Sequence, residues 1–162
     1  MSDESRREFL TKAAAVAPAA VILGTASNAA AAPQMPGRRV VPGAATAPFS
    51  RAVVLGDLAF VAGVLGRKEN SSELASADFE PQCRQAFQNL LASVEAAGSS
   101  MGQVLKCTCF LTDVADFPTM NKVFREFFAT EPPARSTVVV KELVVTGAKI
   151  EVDCVTALPP RR

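Results

Sequence analysis

The pair Pro132-Pro133 does most to limit what this chain can fold into, because it stands between a segment of helical period and the run Ala134-Arg135-Ser136-Thr137-Val138-Val139-Val140. Each proline fixes φ and biases the residue before it away from the helical region, so a helix ending near Ala129 cannot run on. A strand must begin afresh. Thr137 to Val140 are β-branched and suit a pleated surface, whereas Arg135 falls among the strand's first residues, where its stem can carry the guanidinium to a cleft at the sheet's end. That planar fork of donors matches a carboxylate. The plainer reading is a solvated arginine after a turn.

Other segments carry strand or helix periods of their own. Ala148 to Val155 alternates, with Ile150, Val152 and Cys154 on one face and Lys149, Glu151 and Asp153 on the other. Two carboxylates on one strand face need company or water. Arg51 to Val54 and Leu58 to Val64 flank Gly56-Asp57, a two-residue hairpin signal. From Asp78 or Phe79 to Ala97, the residues Cys83, Phe87, Leu90, Leu91 and Val94 recur at helical spacing, with Asp78 as N-cap, Pro81 in the first turn and Gly98 as stop. Met101 to Asp113 alternates again, and this predicts Leu105, Cys107, Cys109 and Leu111 facing the helix, with Lys106, Thr108 and Thr112 facing away. A second helix after Asp116 has the stripe Met120, Val123, Phe124 and Phe127.

The resulting order, β-β-α-β-α-β-β, predicts an α+β domain with both helices packed on one face of a sheet. Thr137 and Val139 share the parity of Arg135 and, with Lys106 and Thr108, are expected on the face opposite the helices. Too polar for a second core and too apolar for open water, that face suggests a subunit contact.

Composition narrows the chemistry. A chain of 162 residues, 49% of them hydrophobic, is long enough for one filled core and too short to expect two. Its 17 basic and 16 acidic residues leave a net charge of +1, and the body has no basic run, so the electrostatic footprint of a nucleic-acid partner is missing. No His, Trp or Tyr occurs, which removes His-based triads and His-ligated metals. Cys83, Cys107, Cys109 and Cys154 all fall on apolar faces and read as small core residues, so no metal is expected.

The N-terminus reads as an address. Ser5-Arg6-Arg7-Glu8-Phe9-Leu10-Thr11-Lys12 resembles the twin-arginine export motif, and Ala13 to Ala26 is an apolar stretch too short and alanine-rich to stay in a bilayer. Ala29 to Ala32 supply small residues for signal peptidase. The expected organisation is a signal peptide over residues 1–31, a flexible Pro/Gly/Ala-rich linker over 32–47 and one domain over 48–160. The expected destination is the periplasm, with the twin-arginine (Tat) translocase as a partner during export and no stable membrane anchor. The alternative is an alanine-rich N-terminal helix of a cytoplasmic protein.

Taken together, Pro133-Ala134-Arg135-Ser136, the valine-rich strand and Lys149-Ile150-Glu151-Val152-Asp153 resemble the signature of the RidA/YjgF family of enamine/imine deaminases. The likeness runs upstream through Ala96-Ala97-Gly98, Val104-Leu105-Lys106, Phe110-Leu111-Thr112-Asp113 and Asp116-Phe117 to Asn121 and Phe127-Phe128, and covers the chain from about Ala47 onward. It implies a RidA-like (chorismate-mutase-like) fold in a homotrimer, with sheets facing inward and ligand clefts between neighbours. It also implies hydrolysis of reactive enamines and imines, such as 2-aminoacrylate and its 2-imino tautomer, to a 2-oxo acid and ammonia without a cofactor.

Carried over by this resemblance, Arg135 clamps the substrate carboxylate and Glu151 orients or activates the attacking water. The two are expected to meet across adjacent strands or a subunit boundary. Gly63 lets backbone approach the ligand, and Asn121 and Phe124 match positions near the cleft. The departures lie at Phe49, where the family often has Tyr, at Ala62-Gly63-Val64, where it often has Ser-Gly-Gln, and at Thr137, where many members have Cys. With Phe49 in the binding set, the pocket is expected to be more apolar than usual. The alternative is a non-catalytic periplasmic trimer that binds small carboxylates through Arg135, which turnover would separate from an enzyme. RNA cleavage, reported for some relatives, is disfavoured by charge and by export.

Overall fold

A computed structural model describes residues 35–160, so the twin-arginine segment and the cleavage region lie outside the described residues. Six strands, β1 (Arg39–Val41), β2 (Ala52–Leu55), β3 (Leu58–Leu65), β4 (Val104–Leu111), β5 (Ala134–Val139) and β6 (Ile150–Ala157), form one sheet in the order β1-β2-β3-β6-β4-β5. Two helices, α1 (Phe79–Ala97) and α2 (Phe117–Phe127), pack on one face of it. β4 and β5 run parallel because α2 carries the chain back between them, and every other neighbouring pair is antiparallel. Among the described residues no helix is long and apolar enough to cross a membrane.

Local chemistry accounts for the boundaries. Gly56 and Asp57 close the β2–β3 hairpin opposite the Leu55–Leu58 pair, and Gly56 supplies the positive φ of 60° that a tight hairpin turn requires. α1 ends at Gly98 in the left-handed region, whose N–H reaches the Glu95 carbonyl. At its other end Asp78 is extended but its side chain makes no capping bond, so the predicted N-cap is one of position only. Inside, Cys83, Phe87, Leu90 and Val94 of α1 are sealed against Val54, Cys107, Cys109, Ile150, Val152 and Cys154 of the sheet. Phe87 meets Phe124 edge-on with centroids 5.6 Å apart and so joins the helices; burial of one such ring contributes about 1.5–3 kcal/mol.

Three expectations are corrected. Residues 32–47 are not all linker, because Arg39–Val41 add an edge strand to β2, with Val41 buried and Arg39 Nη2 donating to the Ala97 carbonyl at 2.8 Å. A three-residue strand is too short to show a period amid Pro and Gly. Leu105 does not face the helices: it is 50% exposed, and Val104 is buried in its stead. A bulge between Val104 and Lys106 in the pairing with β6 inserts one residue and reverses the parity before it.

The third correction concerns Arg135. β5 pairs in register with β4, Cys107 opposite Arg135 and Cys109 opposite Thr137, so Arg135, Thr137 and Val139 lie on the helix side of the sheet. Parity along a single strand says nothing about which face is which; the register against β4 decides it. The open face instead carries Ser136 and Val138 with Lys106 and Thr108, and Lys106 Nζ donates to Ser136 Oγ at 2.6 Å. Phe60, half exposed, and the carboxylates of Glu151 and Asp153 continue that face across β3 and β6.

Candidate active site

Arg135 is the second residue of the edge strand β5, and α2 crosses just above it. Phe117, Met120, Asn121 and Phe124 stand one and two turns apart on the same helix face, at the i, i+3, i+4, i+7 spacing that brings side chains into line. Together they hold the guanidinium. Its carbon lies 4.5 Å from the Phe124 ring centre and 5.8 Å from that of Phe117, Nη2 donates to Asn121 Oδ1 at 2.5 Å, and Nη1 points to Met120 Sδ at 3.6 Å. None of the ion pairs among the described residues involves Arg135. The cation is thus oriented by ring faces and an amide while its charge is left for an anion. Beside it opens a cleft of about 570 Å³ lined by Arg135, Asn121, Phe124, Phe128, Pro132 and Pro133.

Glu151 is set differently. It sits on the central strand β6 and projects to the open face, over a bulge in β3 where three steps from Val61 to Val64 match two on β6. Gly63 occupies that bulge, and a Cβ added there would overlap Glu151 Oε1, so only glycine leaves the carboxylate its place. Burial, and secondarily the charge of Asp153, holds the Glu151 carboxyl above its ordinary range. A carboxylate raised toward neutrality is better matched to taking a proton from water.

The six residues singled out from the sequence therefore form two groups. Arg135, Asn121 and Phe124 share the cleft under α2; Gly63 and Phe49, the latter 62% exposed, line a second cleft of about 850 Å³, with Glu151 over Gly63. Arg135 and Glu151 do not meet within one chain, because β4 separates β5 from β6 and the two side chains leave the sheet on opposite faces. Met120 and Phe117, which help hold Arg135, were not singled out as site residues, although their spacing before Phe124 was there to read. Arg51 and Arg67 on the second cleft were also missed, since no local pattern marks a lone arginine after a strand.

The thiols offer no nucleophile. All four cysteines are free, and all are buried, the burial being what their apolar-face positions predicted. Burial pushes Cys83 and Cys154 up to about 12 and Cys109 to about 11, where nearby Arg135 offsets only part of the rise. Among the described residues no group of three or more Cys, Asp or Glu converges as metal ligands do.

Comparison with known proteins agrees with this architecture. The family model described as Endoribonuclease L-PSP matches residues 40–158. The RutC family protein y4sK of Sinorhizobium fredii is 41% identical over 114 residues, covering 70% of this chain and 90% of its own length. The 2-iminobutanoate/2-iminopropanoate deaminase of Dermatophagoides farinae is 36% identical over 111 residues, 68% of this chain and 86% of that protein. The crystal structure of RidA from an Antarctic Psychrobacter superposes with a TM-score of 0.66 at 34% identity, covering 73% of this chain and 94% of that one. With a family match over residues 40–158 and relatives at these identities, the chain belongs to the RidA/YjgF family, the one described as Endoribonuclease L-PSP.

Proposed function

We propose that this protein hydrolyses reactive 2-imino acids and their enamine tautomers to 2-oxo acids and ammonia, at a site shared between copies in a homotrimer. The observation that carries the proposal is an oriented arginine without a carboxylate partner beside one cleft, set against a glutamate of raised pKa over a glycine bulge beside another. Deaminases acting on 2-iminobutanoate and 2-iminopropanoate among the relatives support it.

Arg135 binds the substrate carboxylate and places the C=N carbon. That carbon is already electrophilic, so positioning and one base suffice. Glu151 takes a proton from water as the oxygen bonds to the imine carbon, giving a tetrahedral carbinolamine. It returns that proton to nitrogen, then relays the hydroxyl proton to the amine as the C=O bond forms and the C–N bond breaks, so ammonia leaves with the 2-oxo acid. One water is consumed and the carboxylate is regenerated. No cofactor enters the sequence.

Two groups on opposite faces of one sheet can serve one substrate if a second copy supplies the missing half. The open face, where Phe60 and Val138 lie among Lys106, Glu151 and Asp153, fits another copy of itself. Export to the periplasm by the twin-arginine route is part of the proposal, resting on Arg6-Arg7 ahead of the apolar stretch and small-residue site.

The testing experiment measures ammonia released from imines generated in situ by an amino-acid oxidase, with and without the protein. Acceleration that disappears in Arg135→Ala supports the enzyme. Binding of carboxylates without turnover would leave only a carrier.

A further inference from the structure

The second cleft contains a cation that the proposed chemistry does not use. Arg67 follows β3 by two residues, in a loop fixed from several sides. Asn89 Nδ2 donates to the carbonyls of both Leu65 and Arg67, at 2.8 and 2.9 Å, and Arg67 forms an isolated bridge with Leu74. The loop at Gly66 lies so close to α1 that a Cβ there would overlap the Gln82 backbone. The Arg67 backbone therefore has little freedom.

Its side chain is half-buried. Nε is sealed from solvent and has no hydrogen-bond partner, and the guanidinium takes part in none of the ion pairs among the described residues. Some other cations of this domain have partners: Lys68 pairs with Glu73 at 2.9 Å, Arg84 with Glu80 and Glu126, and Arg39 with the Ala97 carbonyl. A partly desolvated guanidinium with no counter-ion is unfavourable unless an anion arrives. Arg51 lines the same cleft and is exposed; the one carboxylate on its wall is Glu69, also exposed. Gly63, under the Glu151 carboxylate, is on that wall too. Leu65, the register partner of Glu151, is on that wall as well, so the cleft runs from beside Glu151 to Arg67.

We infer that the preferred substrates are 2-imino acids bearing a second, distal carboxylate, and that Arg67 is the residue that selects them. The inference rests on the imine-hydrolase reading and deepens it. Arg135 takes the carboxylate next to the reacting carbon; Arg67, with Arg51 nearby, takes the distal one.

The test compares kcat/KM for imines made in situ by oxidases from acidic and from neutral amino acids. The wild-type protein is expected to favour the dicarboxylic imine, and Arg67→Met to lower the acidic-to-neutral ratio by about 10- to 100-fold, the usual effect of losing a hydrogen bond to a charged group. Arg67→Lys, which keeps the charge without the fork, should retain part of the preference. Neutral imines turned over as well as acidic ones by the wild type, or an unchanged ratio in a folded Arg67→Met, overturns the inference and leaves the hydrolase reading standing. Should Arg67→Met fail to fold, calorimetry on the wild type decides: equal affinity for dicarboxylic and monocarboxylic 2-oxo acids overturns it. Hydrolysis of no imine at all removes the hydrolase reading and this inference with it.

Discussion

Arg135 keeps its charge available because what surrounds it is a ring face, an amide oxygen and a thioether, none of which neutralises a guanidinium. Replacement by Ala should therefore remove substrate binding and rate together, at a cost of about 2–5 kcal/mol in kcat/KM. Glu151→Gln keeps size and removes the base, so kcat should fall by roughly two to four orders of magnitude with a much smaller change in KM. A stable Arg135→Ala that hydrolyses imines at the native rate would end the assignment. The raised Glu151 carboxyl also fixes the sign of two pH effects. Activity should rise with pH through a limb above the ordinary carboxylate range. The folded chain also holds this proton more tightly than the unfolded one, so stability is lost as pH climbs from the ordinary carboxylate pKa through the raised one. The Tm of Glu151→Gln minus that of the native protein should accordingly grow over that window; a constant difference contradicts a shifted carboxylate. The strand position of each residue was legible in the sequence, one by its place after two prolines and one by strand alternation. Their faces were not, because a strand's parity becomes a direction only when its neighbour is known.

Among the elements, two glycines near the end of β3 make contrasting demands. At Gly63 an added Cβ meets the movable end of a side chain, whereas at Gly66 it meets the backbone of Gln82. Gly63→Ala should therefore fold nearly as well as the native chain yet displace Glu151 and lower kcat by about 100-fold, since a small misplacement of a catalytic group is costly. Gly66→Ala should act first on stability, by about 1–3 kcal/mol in denaturant titration, because loop and helix must part. The reverse ranking would mean that the bulge serves packing and not the carboxylate. Helices and most strands were readable here, since α1 and the β2–β3 hairpin carry their period and their stop signals together. β1 and the inward side of β4 were not. One strand is too short for a period, and in the other a bulge at Leu105 breaks it, a feature set by pairing with β6.

At the scale of the whole molecule, the proposed export role of the N-terminal segment can be tested apart from the domain. Arg6→Lys with Arg7→Lys should leave the protein uncleaved in the cytoplasm, measured by fractionation and size, and unimpaired export would remove the twin-arginine route from the proposal. The domain's class was legible; its start, which β1 carries back to Arg39, and how copies meet were not, since the open face shows only that something of mixed polarity fits it. The placement of Arg135 and Glu151 on opposite sides of the sheet has a genetic corollary. A chain lacking the arginine still brings an intact glutamate, and a chain lacking the glutamate still brings an intact arginine. Two dead proteins should therefore rescue one another. Arg135→Ala and Glu151→Gln, unfolded together in equal amounts and reassembled, should recover about one quarter of the native activity, the share of subunit boundaries in a randomly mixed ring that pair the two sound halves. Light scattering on the same sample would establish that the ring has three members, and a mixture as inactive as its parents would place both groups of each site within a single chain.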